Sequence, residues 1–211
     1  MDFISNELNN YAEAHTSAES PLLKRINRET RAGVHMSRML SGHLQGRFLS
    51  FISRMIRPKS ILEIGTYTGY SALCLAEGLA PGGRLFTIDI NEELESRVRS
   101  YFQEAGMNDT IHYFVGDASE IISTLSGPFD FVFLDADKEN YAQYFDLVIA
   151  KIPSGGFILA DNVLWSGKVL HQKLDKDTRA IKAFNLKIQE DERVENVLLP
   201  FRDGIMLIRK I

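Results

Sequence analysis

The chain has 211 residues, of which 45% are hydrophobic and 25% charged, with a formal net charge of −4. This length suits one buried core, and the expectation is a single domain over 1–211, with helices over 1–57 and a sheet core over 58–211. The charge balance argues against nucleic-acid binding driven by bulk electrostatics, and no apolar run approaches the roughly 20 residues of a membrane helix. The amino terminus MDFISNELNNY lacks a basic segment followed by an apolar core, so a cytoplasmic protein away from membranes is expected. Cys74, the only cysteine, sits among Leu73, Leu75 and Ala76 and reads as a buried small residue.

In chain order, helix-like spacing covers 3–13, 20–31 and 42–56, with Ser20-Pro21 as an N-cap and first-turn pair. These segments form an N-terminal helical cover. From Ser60 the pattern alternates: strands near 61–64, 85–89, 111–115, 129–134 and 156–160, separated by helices near 70–79, 91–105, 118–125 and 140–150. That alternation predicts an α/β fold, a parallel sheet with helices on both faces. A loop over 166–177 and a helix near 178–190 follow, then strands near 194–199 and 204–209. Pro200-Phe201-Arg202-Asp203 is too short for a crossover, so the last two strands are antiparallel neighbours.

Two of the buried runs end in acid. Phe129 to Leu134 stops at Asp135, and Phe157 to Ala160 stops at Asp161 followed by Asn162. Ligands in open α/β sheets bind beyond the carboxyl ends of the strands. Asp135, Asp161 and Asn162 then form an all-oxygen set suited to Mg²⁺, with Mn²⁺ or Ca²⁺ fitting the same ligands. An Asp at a strand end also caps the following helix, so each residue alone is ambiguous.

Glu63-Ile64-Gly65-Thr66-Tyr67-Thr68-Gly69-Tyr70-Ser71 is a strand end, a glycine-bearing turn and a helix start. Glycines admit close backbone approach, and the helix N-terminus offers free N–H groups. The spacing is G-x-x-x-G, neither the dinucleotide fingerprint nor a P-loop. Asp89 ends the next strand, where a carboxylate can accept both hydroxyls of a ribose.

EIGTYTGYS, the acid of TIDIN, FDFVFLDADKENY, the DN of ILADNVLWSG and the terminal LPFRDGIMLIRKI together resemble the cation-dependent, S-adenosylmethionine-dependent O-methyltransferases of the caffeoyl-CoA and catechol O-methyltransferase group. The resemblance runs over about 36–211. It implies a Rossmann-like class I methyltransferase sheet of seven strands, mostly parallel with one antiparallel strand. It further implies Asp135, Asp161 and Asn162 as metal ligands and Lys138 as the base that takes the acceptor's proton. Ser41, Glu63, Gly65, Thr66, Ser71, Asp89, Ala118, Asp135 and Asp137 match positions lining S-adenosylmethionine in that group. A homodimer is implied as well.

A neutral hydroxyl is a poor nucleophile; a divalent ion lowers its pKa and a nearby base removes the proton. Lys138 taken alone is an ordinary surface charge, and His35 and His43 are given no catalytic role. Trp165 reads as a wall of the acceptor pocket, with an anchor for its own loop as the alternative. Ser166 stands where the plant caffeoyl-CoA enzymes have asparagine, and Gln45 where they have an acid. A small catechol-like phenol is therefore expected rather than a CoA ester. Two other readings are a transfer-RNA hydroxyuridine methyltransferase and a non-catalytic S-adenosylmethionine-binding protein. The RNA reading would use a basic face of Lys24, Arg25, Arg28, Arg31, Arg38, Arg47, Arg54 and Arg57, which reads first as an ordinary solvated helix surface.

Overall fold

The protein is described by a computed structural model covering residues 5–211. Seven strands form one sheet: β1 Ser60–Ile64, β2 Arg84–Asp89, β3 Ile111–Val115, β4 Phe131–Leu134, β5 Phe157–Asp161, β6 Val194–Leu199 and β7 Ile205–Lys210. Their spatial order is β3-β2-β1-β4-β5-β7-β6. Only β7 runs against the rest, pairing antiparallel with β5 and β6. This is the class I methyltransferase sheet that the motifs imply.

Strand side chains alternate between faces, and the two cores follow that alternation. Ile61, Leu85, Phe131, Phe133 and Leu159 pack under the N-terminal helices and the helices after β1 and β2, α2 Pro21–Gly33, α3 Gly42–Ile56, α4 Tyr70–Ala76 and α5 Glu95–Glu104. Leu62, Ile64, Val132, Leu134, Ile158 and Ala160 pack under α6 Ala118–Thr124, α7 Tyr141–Ile149 and α8 Lys176–Glu190. α1 Asn6–Ala14 rests on the outside of the first layer against α3. Ser20 caps α2 as expected, accepting the Leu23 N–H at 3.2 Å. Positions 3 and 4 of the first predicted helix lie outside the described residues.

Boundaries shift where side chains compete with the ladder or helix. β4 begins at Phe131 rather than 129; the Phe129 N–H donates outside the sheet, to the Lys151 carbonyl at 2.9 Å, and the Asp130 carboxylate accepts the N–H groups of Lys59 (2.7 Å) and Ser60 (3.0 Å). Asn91 caps a short 3-10 turn, accepting from Glu93 at 3.0 Å, which delays α5 to Glu95. Part of the predicted loop 166–177, over Trp165–Leu170, forms tight turns interrupted by a left-handed kink at Ser166 (φ 53°) and Gly167 (φ 76°), and α8 starts early because Asp175 accepts the Thr178 N–H at 2.8 Å.

Candidate active site

The turn after β1 is forced close to its neighbour. Gly65 sits at φ +105°, and a Cβ there would lie 2.0 Å from the Asp135 carbonyl oxygen. Only glycine permits that crossing. Beside it runs a buried chain of hydroxyls: the Thr66 and Thr87 Oγ1 atoms lie 2.5 Å apart, and Thr87 donates to Glu63 Oε2 at 2.5 Å. Glu63 is fully buried, and burial pushes its carboxyl up to about 8 against the opposing pull of the Ser71 and Thr87 hydroxyls; Ser71 stands near but makes no well-formed hydrogen bond to Oε1. An unsatisfied buried acceptor is costly unless a ligand donor meets it. Asp89 is oriented by two backbone donors, Tyr67 N–H at 2.6 Å and Asn91 N–H at 2.8 Å, which leave a lone pair on each oxygen for hydroxyl donors.

β4 and β5 are in register with Leu134 opposite Ala160, so the next residues, Asp135 and Asp161, emerge side by side. Asp161 is 3% exposed, and burial together with the neighbouring Asp135 charge pushes it up to about 6. Its Oδ1 accepts the Asn162 N–H at 2.7 Å and its Oδ2 accepts the Gln45 amide at 2.5 Å. Asn162 adopts φ +60° where the chain leaves the sheet. Lys138, 8% exposed, reaches Asp135 Oδ1 at 3.0 Å and the Tyr141 hydroxyl at 2.6 Å. Tyr141 Oη lies within hydrogen-bonding reach of the Leu134 and Asp161 carbonyl oxygens, at 3.3 Å and 3.0 Å, tying both strand ends to the lysine. The Trp165 ring lies 5.7 Å from Lys138 Nζ. The site is thus two carboxylates, one amide and one cation on the sheet's carboxyl edge.

Comparison with known proteins gives this geometry a family. The profile described as O-methyltransferase matches residues 13–211. The chain belongs to that O-methyltransferase family. It is 37% identical over 179 residues to caffeoyl-CoA O-methyltransferase 1 of Eucalyptus globulus, covering 79% of this chain and 73% of that one. It is 32% identical over 214 residues to probable caffeoyl-CoA O-methyltransferase 2 of Dictyostelium discoideum, covering 98% and 93%. The SAH-bound methyltransferase of Podospora anserina superposes with a TM-score of 0.90 at 29% identity, covering 98% and 94%. The protein is an S-adenosylmethionine-dependent O-methyltransferase.

Within this O-methyltransferase the sequence-derived residues fall into two groups. Glu63, Gly65, Thr66 and Asp89 line the turns after β1 and β2, and Ser71, 7% exposed, lies in the first turn of α4. Ser41 caps α3 without a side-chain bond and is 8% exposed. Ala118 begins α6, behind the Asp117 cap. Asp137 stands apart from the carboxylate pair in its bonding, because Tyr144 donates to one oxygen at 2.7 Å and Asn140 to the other at 2.6 Å.

The oxygen donors of Asp135, Asp161 and Asn162 fit a hard divalent cation, and the repulsion that raises Asp161 is the charge such an ion would neutralise. Among the described residues no three His, Cys, Asp or Glu side chains gather, so the donor set here is two carboxylates with the neighbouring Asn162.

Sequence reasoning gave no role to Gln45 in holding Asp161 and did not single out Tyr141. Gln45 lies 116 positions from its partner, and Tyr141 reads as an ordinary helix-start aromatic. The basic face is partly neutralised: Arg25 pairs with Glu29 and Glu104, and Arg47 and Arg54 with Glu77. Two open hollows beside α5, one of them also bordered by α2, are lined by mixed charges and hold none of these converging groups.

Proposed function

We propose that this O-methyltransferase transfers the methyl group of S-adenosylmethionine to one hydroxyl of a small catechol-like phenol, with a divalent cation, Mg²⁺ foremost, at Asp135, Asp161 and Asn162. The observation that carries the reading is the emergence of Asp135 and Asp161 from adjacent strand ends, with Lys138 held against Asp135 by the buried Tyr141. When bound, the cation would hold two adjacent acceptor oxygens and lower the pKa of the reacting hydroxyl.

The chain's own residues do the rest. Glu63, with its unpartnered Oε1, receives the cofactor's ammonium group; Asp89 accepts the ribose hydroxyls. Gly65 and Thr66 shape the turn under the methionine portion, Ser41 and Ser71 contact it, and Ala118 and Asp137 border the adenosine. Lys138, in its neutral amine form, takes the acceptor's hydroxyl proton on Nζ and becomes the ammonium that faces Asp135. The oxygen then bonds to the methyl carbon as the carbon–sulfur bond breaks, its electron pair remaining on sulfur. Trp165 forms a flat wall for the ring. Positioning reactants in line in this way is worth about 7–11 kcal/mol of barrier at best.

The partial neutralisation of the basic face favours a small acceptor over transfer RNA. We also propose a cytoplasmic location; separately, no helix among the described residues is long and apolar enough to cross a membrane. The proposal also takes the protein to be a homodimer, with Phe51 (57% exposed) and Met55 (77%), one turn apart on α3, as candidates for the interface.

Asp161→Ala tests the site. It should abolish metal-dependent turnover while SAH binding, followed by calorimetry, stays within a few-fold of wild type. Equal loss of both would place the cation elsewhere.

A further inference from the structure

We propose that Gln45 is a positioning residue for the divalent-cation site, locking the carboxylate of Asp161 in the orientation that faces the ion. This rests on the cation reading given above. Side-chain alternation along β5 puts Asp161 on the same face as Leu159, the face covered by α3. Gln45, in the first turn of α3, is 2% exposed, and its amide donates to Asp161 Oδ2 at 2.5 Å. Among the described residues this is its only side-chain hydrogen bond. The neighbouring Gly46 sets the depth: a Cβ there would lie 2.5 Å from the Tyr70 ring and 2.9 Å from Cys74 Sγ, so α3 can sit against α4 only because that side chain is missing.

The two donors on Asp161 are both neutral. Gln45 takes one lone pair of Oδ2, and the Asn162 N–H takes one of Oδ1 at 2.7 Å. Each oxygen keeps a second lone pair for a cation. Lys138 already compensates Asp135 at 3.0 Å. A cationic donor at 45 would cancel the remaining charge, whereas the Gln45 amide fixes the carboxylate and leaves its charge available. Groups that orient metal ligands in this way typically change metal affinity by about 10–100-fold when removed.

The test is Mn²⁺ binding to the SAH-loaded protein, followed by the loss of free-ion electron paramagnetic resonance signal, for wild type, Asp161→Ala, Gln45→Leu and Gln45→Met. The expected result is Mn²⁺ bound by wild type and lost in Asp161→Ala, with Kd raised at least about tenfold in both Gln45 variants and SAH affinity unchanged. A residue that merely packed α3 would lower the melting temperature without moving the Mn²⁺ Kd relative to SAH. An unchanged Mn²⁺ Kd in a variant that binds SAH normally overturns the role of Gln45 alone. Loss of SAH binding in both variants also overturns it, making Gln45 a folding residue. Equal Mn²⁺ binding by wild type and Asp161→Ala overturns the cation reading itself.

Discussion

Glu63 is a carboxyl with no exposure, an orphaned oxygen and neighbouring negative charges at Asp135 and Asp89. Burial holds it near 8 in the folded chain, against the ordinary carboxylate range when unfolded. Between those values the folded state keeps a proton that the unfolded state has lost, so stability falls as pH rises. The contribution is complete below the ordinary carboxylate pKa and gone above about 8. Glu63→Gln removes that dependence. Thermal melts of the unliganded protein from pH 5 to 8.5 should show the variant gaining on wild type as pH rises; a constant gap would contradict the assignment. The same variant should bind SAH at least about tenfold more weakly, because a charge-assisted hydrogen bond is worth about 1.5–3 kcal/mol. At this scale the acids at strand ends were legible in the sequence, since each closes a buried apolar run. Gln45 was not, because an amide inside an amphipathic helix carries no pattern, and its partner is 116 positions away.

The contact between α3 and α4 sets where the functional turns sit. Arg47, with only 10% of its side chain exposed, is met by both oxygens of Glu77 at 2.8 and 2.9 Å, and Ser50 donates to the same carboxylate at 2.7 Å. Burial alone would raise Glu77, but the hydrogen bonds from Arg47 and Ser50 outweigh it and hold it below its ordinary value. Glu77→Gln leaves the guanidinium buried and uncompensated. Denaturant unfolding should report a loss of about 3 kcal/mol or more, and a loss under about 1 kcal/mol would mean that water reaches Arg47 freely. The elements themselves were legible from hydrophobic period, and all seven strands lie where the apolar runs put them. Their ends were less so. Asn91 and Asp175 moved boundaries by bonding backbone N–H groups, a choice fixed by local geometry rather than by periodicity.

Across the molecule, the sheet separates two cores and delivers Asp135 and Asp161 to one edge, leaving apolar side chains of α3 in solvent. If that face joins two copies, Phe51→Asp with Met55→Asp should convert a dimer to a monomer in light scattering; an unchanged mass would exclude the α3 face. The antiparallel pairing of the last two strands followed from the sequence, because the short Pro200 to Asp203 connection forbids a crossover. The most direct test of the central claim is methyl transfer from labelled S-adenosylmethionine to a panel of catechols and to unmodified cellular RNA, with Mg²⁺ present or removed by EDTA. The account predicts labelled catechol that disappears with EDTA and unlabelled RNA. Labelling of RNA alone, or catechol labelling indifferent to EDTA, would contradict it.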